Sequence, residues 1–203
     1  MKKILVAIHG FGSSKSSSKI AALVPGLKER GVEVVAFDLP GHGENKTPLR
    51  IKNCLELIKK VEDDIRAKNK DAEIYIYGSS FGAYLTLLHL IDNKREYGEV
   101  FLRVPAIDCY KCFTDAKAKE YIKGLDPAFI NDLKENDVLS QAHKIKEKLN
   151  IIYGTDDKVV DNSEIYELAK KADCKIYPIE GADHQFKNPK HLEKFVEIVL
   201  YCM

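Results

Sequence analysis

The sequence carries a serine framed by two glycines at Gly78-Ser79-Ser80-Phe81-Gly82, a G-x-S-x-G pattern centred on Ser80. A strand-like run, Glu73–Tyr77, leads into it, and an apolar helical stretch, Ala83 to Ile91, follows at once. A turn sharp enough to join the two directly leaves room only for very small flanking residues. It also lifts the central hydroxyl above the sheet at a helix N-terminus, where a nucleophile is useful. In this register the reactive hydroxyl belongs to Ser80 and not Ser79. The plain alternative is an ordinary turn between a strand and a helix.

A serine hydroxyl attacks a carbonyl only when a base takes its proton. Of the six histidines, only His184 falls in the loop after the last strand-like run, within Glu180-Gly181-Ala182-Asp183-His184-Gln185-Phe186. The base needs a carboxylate to fix its tautomer. Gly154-Thr155-Asp156-Asp157-Lys158-Val159-Val160 offers two adjacent acids. Asp157 is the expected partner, with Asp156 pointing the other way to cap or brace the loop, although acids are also common in turns for purely local reasons. The chain order Ser, Asp, His separates this set from the chymotrypsin and subtilisin orders. Charge developing on a tetrahedral intermediate calls for preorganised backbone donors. The Phe11 amide, in His9-Gly10-Phe11-Gly12, and the Phe81 amide are the candidates for this oxyanion hole, with His9 as an anchor of its loop.

Other chemistries fit less well. A phosphate-binding G-x-x-x-x-G-K-[ST] ending on Lys15-Ser16 would need glycines where His9 and Ser14 stand, and a G-x-G-x-x-G begun at Gly10 and Gly12 meets Lys15 at its third glycine. Cys109-Tyr110-Lys111-Cys112 has no second pair or histidine at a zinc spacing and lacks a thioredoxin-like βαβ setting.

These residues need a scaffold that brings distant loops together. Strand-like runs recur at Lys3–Ile8, Val32–Phe37, Glu73–Tyr77, Glu99–Val104, Asn150–Tyr153 and Lys175–Pro178. Between them lie helical stripes: Ile51, Cys54, Leu55, Ile58, Val61 and Ile65; then Ile165, Leu168, Ala169 and Ala172; then Leu192, Phe195, Val196, Val199 and Leu200 after Asn188-Pro189. Alternating strands and helices imply a parallel sheet covered on both faces, with ligands beyond the carboxyl ends of its strands. The candidate loops all follow strands. Residues 105–145 break the rhythm, and so long an excursion is expected to be a small cap.

The 203 residues fit one globular domain, 1–203, able to bury roughly 70% of its unfolded surface. With 32 basic against 31 acidic residues, nothing favours nucleic acid or an anionic membrane as partner. No apolar run approaches the roughly 20 residues of a membrane span. The Lys2-Lys3 start ends at His9-Gly10 without a signal-peptide cleavage site. Five scattered cysteines do not make a disulfide framework, so a reducing, cytoplasmic home is expected.

With these residues in place, the chain resembles the α/β-hydrolase family over essentially its whole length. Asp38-Leu39-Pro40-Gly41-His42-Gly43 is similar to the family's D-x-x-G-x-G turn. The Gly154–Val160 and Ile179–His184 stretches resemble the bacterial cinnamoyl/feruloyl-type esterases and their serine-peptidase-like relatives. The resemblance implies a compact α/β-hydrolase fold with a mostly parallel sheet of about six strands. It implies Ser80 as nucleophile, Asp157 and His184 as triad acid and base, and Phe11 as an oxyanion donor. Ser79 stands where the family often has His, and Ala83 where it often has Gly. The expected activity is that of a cofactor-free serine carboxylesterase acting on small-molecule esters. Thioesters or small peptides are alternative substrates for the same triad, and a noncatalytic scaffold binding a small ligand is the alternative outside catalysis.

Overall fold

The computed structural model describes residues 1–114 and 124–203. Six strands form one sheet: β1 (Lys3–Ile8), β2 (Val32–Ala36), β3 (Glu73–Ser79), β4 (Val100–Arg103), β5 (Leu149–Gly154) and β6 (Cys174–Ile179). They lie in the order β2-β1-β3-β4-β5-β6, and every neighbouring pair is parallel. The central strands β1, β3, β4 and β5 are buried almost throughout, as expected of strands covered on both faces.

Helices α1 (Ser18–Glu29), α2 (Ile51–Lys68) and α3 (Phe81–Asp92) are the crossovers after β1, β2 and β3. α7 (Asn162–Ala169) joins β5 to β6, and α8 (Pro189–Cys202) ends the chain. The chain steps outward from β1 to β2, then back past β1 to β3. Right-handed crossovers therefore put α1 on one face and α2, α3 and α7 on the other. α8 joins α1, where Leu200 lies against Gly26. The stripe read from the sequence on α2 is the side it buries, with Ile51, Cys54, Ile58 and Ile65 inside. Local chemistry starts several helices: the Ser17, Asp161 and Asn188 side chains accept amide protons from Lys19, Ser163 and Lys190.

The excursion between β4 and β5 contains α4 (Cys109–Thr114), α5 (Pro127–Glu135), α6 (Val138–Gln141) and a short 3-10 turn, Ala142–Lys144. Part of the expected cap, residues 115–123, lies outside the described residues. Cys109 does open a helix, α4, but one of only six residues within the long excursion between β4 and β5. Burial pushes the Cys109 thiol well above its usual pKa and the Cys112 thiol up to about 12, so both stay protonated near neutral pH. Polar contacts help seat the excursion on the core. Arg50 meets Asp132 of α5 through paired 2.6 Å bonds, and the Tyr84 hydroxyl donates to the Asn136 carbonyl at 2.9 Å. Asp132 also accepts the Ile51 amide at 3.1 Å, which caps α2 from across the fold.

The sheet order reverses direction at β1 and β3, and the loops leaving those two strands diverge above the sheet. A crevice at such a point is where open α/β sheets hold their ligands.

Candidate active site

β3 ends at Ser79, α3 begins at Phe81, and the single residue between them is Ser80, with φ 54° and ψ −114°. Positive φ is uncommon for a residue with a side chain, so the surroundings must enforce it. The glycines show how. A Cβ on Gly82 would lie 2.4 Å from the carbonyl oxygens of Ile8 and His9, and one on Gly78 would lie 2.5 Å from Thr86 Oγ1. Only bare backbone lets α3 leave β3 this close to β1. The Ser80 amide donates to the Arg103 carbonyl at 2.9 Å, and the Ser80 carbonyl accepts from Ala83 and Tyr84, starting the helix.

His184 follows β6 and is buried, 8% exposed. Its Nδ1 lies 2.7 Å from Asp157 Oδ2, and its Nε2 lies 3.0 Å from Ser80 Oγ. With a carboxylate at Nδ1, that nitrogen carries the ring proton and Nε2 is left to accept from the Ser80 hydroxyl. The other Asp157 oxygen, Oδ1, accepts the Val159 and Val160 amides at 2.8 and 3.1 Å, which fixes the carboxylate in its own turn. Asp156 is turned away and exposed; its amide donates to the Ala182 carbonyl at 3.1 Å. That bond, with Thr155 N–H to the Ile179 carbonyl at 3.1 Å and Gly181 N–H to Thr155 Oγ1 at 2.8 Å, ties the acid loop to the histidine loop.

The loop after β1 faces the elbow. His9 is fully buried and bridges two loops: its Nδ1–H donates to the Gly10 carbonyl at 2.8 Å, and its Nε2 accepts the Leu39 amide at 3.0 Å. Burial lowers its pKa, which suits a neutral ring with one donor and one acceptor. Asp38 accepts the Lys15 amide at 2.8 Å and the Glu44 amide at 3.1 Å, joining the first loop to the second. Burial alone would raise the Asp38 pKa, but these two amides and the Lys15 ammonium hold it below the usual carboxylate range. The Phe11 ring packs edge-on against Phe113 of α4 at 4.8 Å, His42 at 5.3 Å and Phe81 at 6.2 Å. Among the described residues, neither the Phe11 nor the Phe81 amide donates to a protein acceptor. Phe81 is the first residue of α3, where an N–H has no partner inside the helix.

The structure therefore brings Ser80, Asp157 and His184 into one hydrogen-bond chain, and puts Phe11 and Phe81 in contact beside it. Such a chain can activate a hydroxyl for attack on an acyl carbon. Among the described residues, no group of three His, Cys, Asp or Glu side chains is placed to hold a metal ion, and no helix is long and apolar enough to cross a membrane.

A family model described as serine aminopeptidase, S33, matches residues 1–126. The chain belongs to this hydrolase family. Its fold is the α/β-hydrolase fold, shared with solved structures. Est1E from Butyrivibrio proteoclasticus, solved with ferulic acid bound, is 22% identical with a TM-score of 0.82, the match covering 98% of this chain and 87% of Est1E. The esterase Pf2001 of Pyrococcus furiosus is 21% identical, with a TM-score of 0.80 and coverage of 99% and 82%. A monoacylglycerol lipase of Paleococcus ferrophilus is 19% identical, with a TM-score of 0.76 and coverage of 98% and 92%. A comparison with curated proteins gives no significant match.

One residue beside this cluster is not pointed to by any motif in the sequence. Arg103, at the end of β4, is 3% exposed and reaches both the residue before Ser80 and the main chain of His184. A charged side chain in a strand otherwise buried on both faces was the available signal.

Proposed function

We propose that this chain is a serine hydrolase that cleaves carboxylic esters of small acyl groups through an acyl-enzyme on Ser80. The observation that carries the reading is the unbroken chain from the Ser80 hydroxyl through His184 to Asp157, at 3.0 and 2.7 Å, on a backbone held at positive φ. Ser80 Oγ attacks the acyl carbon while its proton passes to His184 Nε2. Asp157 stabilises the imidazolium and keeps it oriented. The carbonyl oxygen, now negative, takes the Phe11 and Phe81 amide protons. Collapse of the tetrahedral species breaks the ester C–O bond, and His184 returns its proton to the departing alkoxide. A water molecule, deprotonated by His184, then releases the acid and restores the Ser80 hydroxyl. No cofactor enters these steps.

Esters are preferred because the similar structures named above include two esterases and a lipase, one of them with ferulic acid bound. The family's aminopeptidase description makes a small peptide the second reading. The test is release of p-nitrophenol from acetate, butyrate and longer esters by the wild type and Ser80→Ala, with fluorophosphonate labelling and an aminoacyl p-nitroanilide in parallel. Turnover and labelling that both vanish in Ser80→Ala support the esterase. Labelling with anilide but not ester turnover favours the peptidase, and the absence of labelling in wild type refutes an activated serine.

A further inference from the structure

Beside the acid-base chain lies a buried charge. Arg103 forms no salt bridge with a carboxylate among the described residues, yet its side chain is almost wholly enclosed. Enclosing a cation without a counter-charge is unfavourable by several kcal/mol unless its donors are well used. They are. Nε and Nη2 donate to Ser79 Oγ at 3.1 and 2.9 Å, and Nη1 donates to the His184 carbonyl at 2.8 Å. The guanidinium carbon stands 4.8 Å from the centre of the Phe186 ring, at the end of the turn that holds His184. Its main chain serves the same place: the Arg103 carbonyl accepts the Ser80 amide at 2.9 Å.

Ser79 and Arg103 are partners across β3 and β4, so this grip springs from buried central strands. The histidine turn is braced to the acid loop by the Asp156 and Gly181 amides and by Asp157, and its internal bonds, Phe186 N–H to the Asp183 carbonyl and Lys187 N–H to Asp183 Oδ1, shape it, but none of these reaches the strand that carries the elbow. Apart from the Ser80–His184 bond itself, the guanidinium makes that attachment.

We propose that Arg103 is a positioning residue whose planar fork spans Ser79 and the His184 carbonyl, and so keeps the imidazole in register with the Ser80 hydroxyl. This rests on the Ser80–His184–Asp157 reading. The role belongs to the geometry of the fork as well as to its charge, because an ammonium offers its donors from one point and cannot span both acceptors. A displacement of about 1 Å between reacting groups costs on the order of 10²-fold in rate. Arg103→Gln and Arg103→Lys are both expected to lose kcat on that scale with KM within about twofold, since neither touches bound substrate. Ser79→Ala removes one of the two anchors and is expected to lose less.

The experiment measures kcat and KM on p-nitrophenyl acetate, the fluorophosphonate labelling rate, and the downfield proton resonance of the His184–Asp157 hydrogen bond, in wild type, Arg103→Gln, Arg103→Lys and Ser79→Ala. The inference is supported if both Arg103 variants keep a cooperative thermal transition, fall in kcat and labelling rate, and shift or broaden the resonance. It is overturned if either folded variant keeps wild-type kcat, or if the loss lies entirely in KM. Recovery in Arg103→Lys alone would assign the effect to charge and overturn the fork. If Arg103→Gln does not fold, Arg103→Lys decides by the same criteria. A wild type that takes no label removes the hydrolase reading. The resonance needs no turnover, and if it is unchanged in Arg103→Gln it counts against Arg103 independently.

Discussion

Replacing Ser80 with glycine should produce an inactive protein more stable than the equally inactive Ser80→Ala, and the structure gives the size of the difference. Ser80 is held at φ 54° and ψ −114°, a region L-residues enter at a cost of about 1–3 kcal/mol. Glycine enters it freely but adds flexibility to the unfolded chain, which returns about 0.4–1 kcal/mol of that relief. Any substitution also loses the 3.0 Å bond to His184, so wild type is the wrong reference. Ser80→Ala is the right one, since it loses the same bond and keeps the strained Cβ. Ser80→Gly should therefore exceed Ser80→Ala by about 0.5–2 kcal/mol, a difference of a few degrees in Tm for a chain this long. Urea unfolding with linear extrapolation resolves it. Ser79, one residue earlier and in ordinary strand backbone, supplies the opposite sign: Ser79→Gly should be less stable than Ser79→Ala. Equal stability of the two Ser80 variants, or the same ordering at both positions, would refute the claim that the turn stores strain at Ser80.

Asp157→Asn should lower kcat by about 10³–10⁴-fold, because an amide at Nδ1 favours the wrong imidazole tautomer, whereas Asp156→Asn should stay within a fewfold of wild type; steady-state ester kinetics check both. Gly82→Ala would place a methyl 2.4 Å from two carbonyl oxygens, so a stability loss of about 1–3 kcal/mol, with displacement of the Phe11 loop, should appear in denaturant melts and labelling rate. Asp38→Asn should destabilise at neutral pH and become indistinguishable from wild type in strong acid. The Asp38 pKa is lowered on folding, so its stabilisation is present above the ordinary carboxylate pKa of about 4 and is lost as pH falls through the folded value. Urea midpoints at pH 7 and pH 3 test the sign.

The strands were readable because a parallel sheet buried on both faces writes itself as short apolar runs, and β1, β3 and β5 each begin or end within two residues of the expected bounds. The positions of Ser80, Asp157 and His184 were readable for a related reason. Each sits in a polar, glycine-containing loop directly after such a run, and the topology aims all those loops to one edge. Arg103 was hidden because its partners are remote: Ser79 is 24 residues away and His184 is 81. A charge in a strand announces that partners exist without naming them. Val104, at φ 42°, gave no sign at all, since a β-branched residue is among the last expected in that region. The excursion was opaque for another reason. α4 and α6, six and four residues long, fall below the length at which periodicity speaks, and they exist because Phe113 and Val138 find the core.

The bonds that hold the site divide it into parts that can change separately. The acid loop and histidine loop are braced to each other by main-chain and Thr155 bonds, so they behave as one body. Arg103 and the Ser80–His184 bond fasten that body to the elbow. The excursion has a different kind of connection. It meets the Phe11 loop through the edge-on contacts of Phe113 with Phe11 and Phe81, the acid-loop side through Asp108 N–H to Glu164 at 2.9 Å and Lys111 to Asp161 at 3.0 Å, and the rest of the fold through Arg50–Asp132 and Tyr84–Asn136 among others. Aromatic contacts fix an approach distance but carry no directional bond to any reacting group. Substitutions at Phe113 should therefore alter the packing beside Phe11 while leaving the Ser80–His184–Asp157 distances intact.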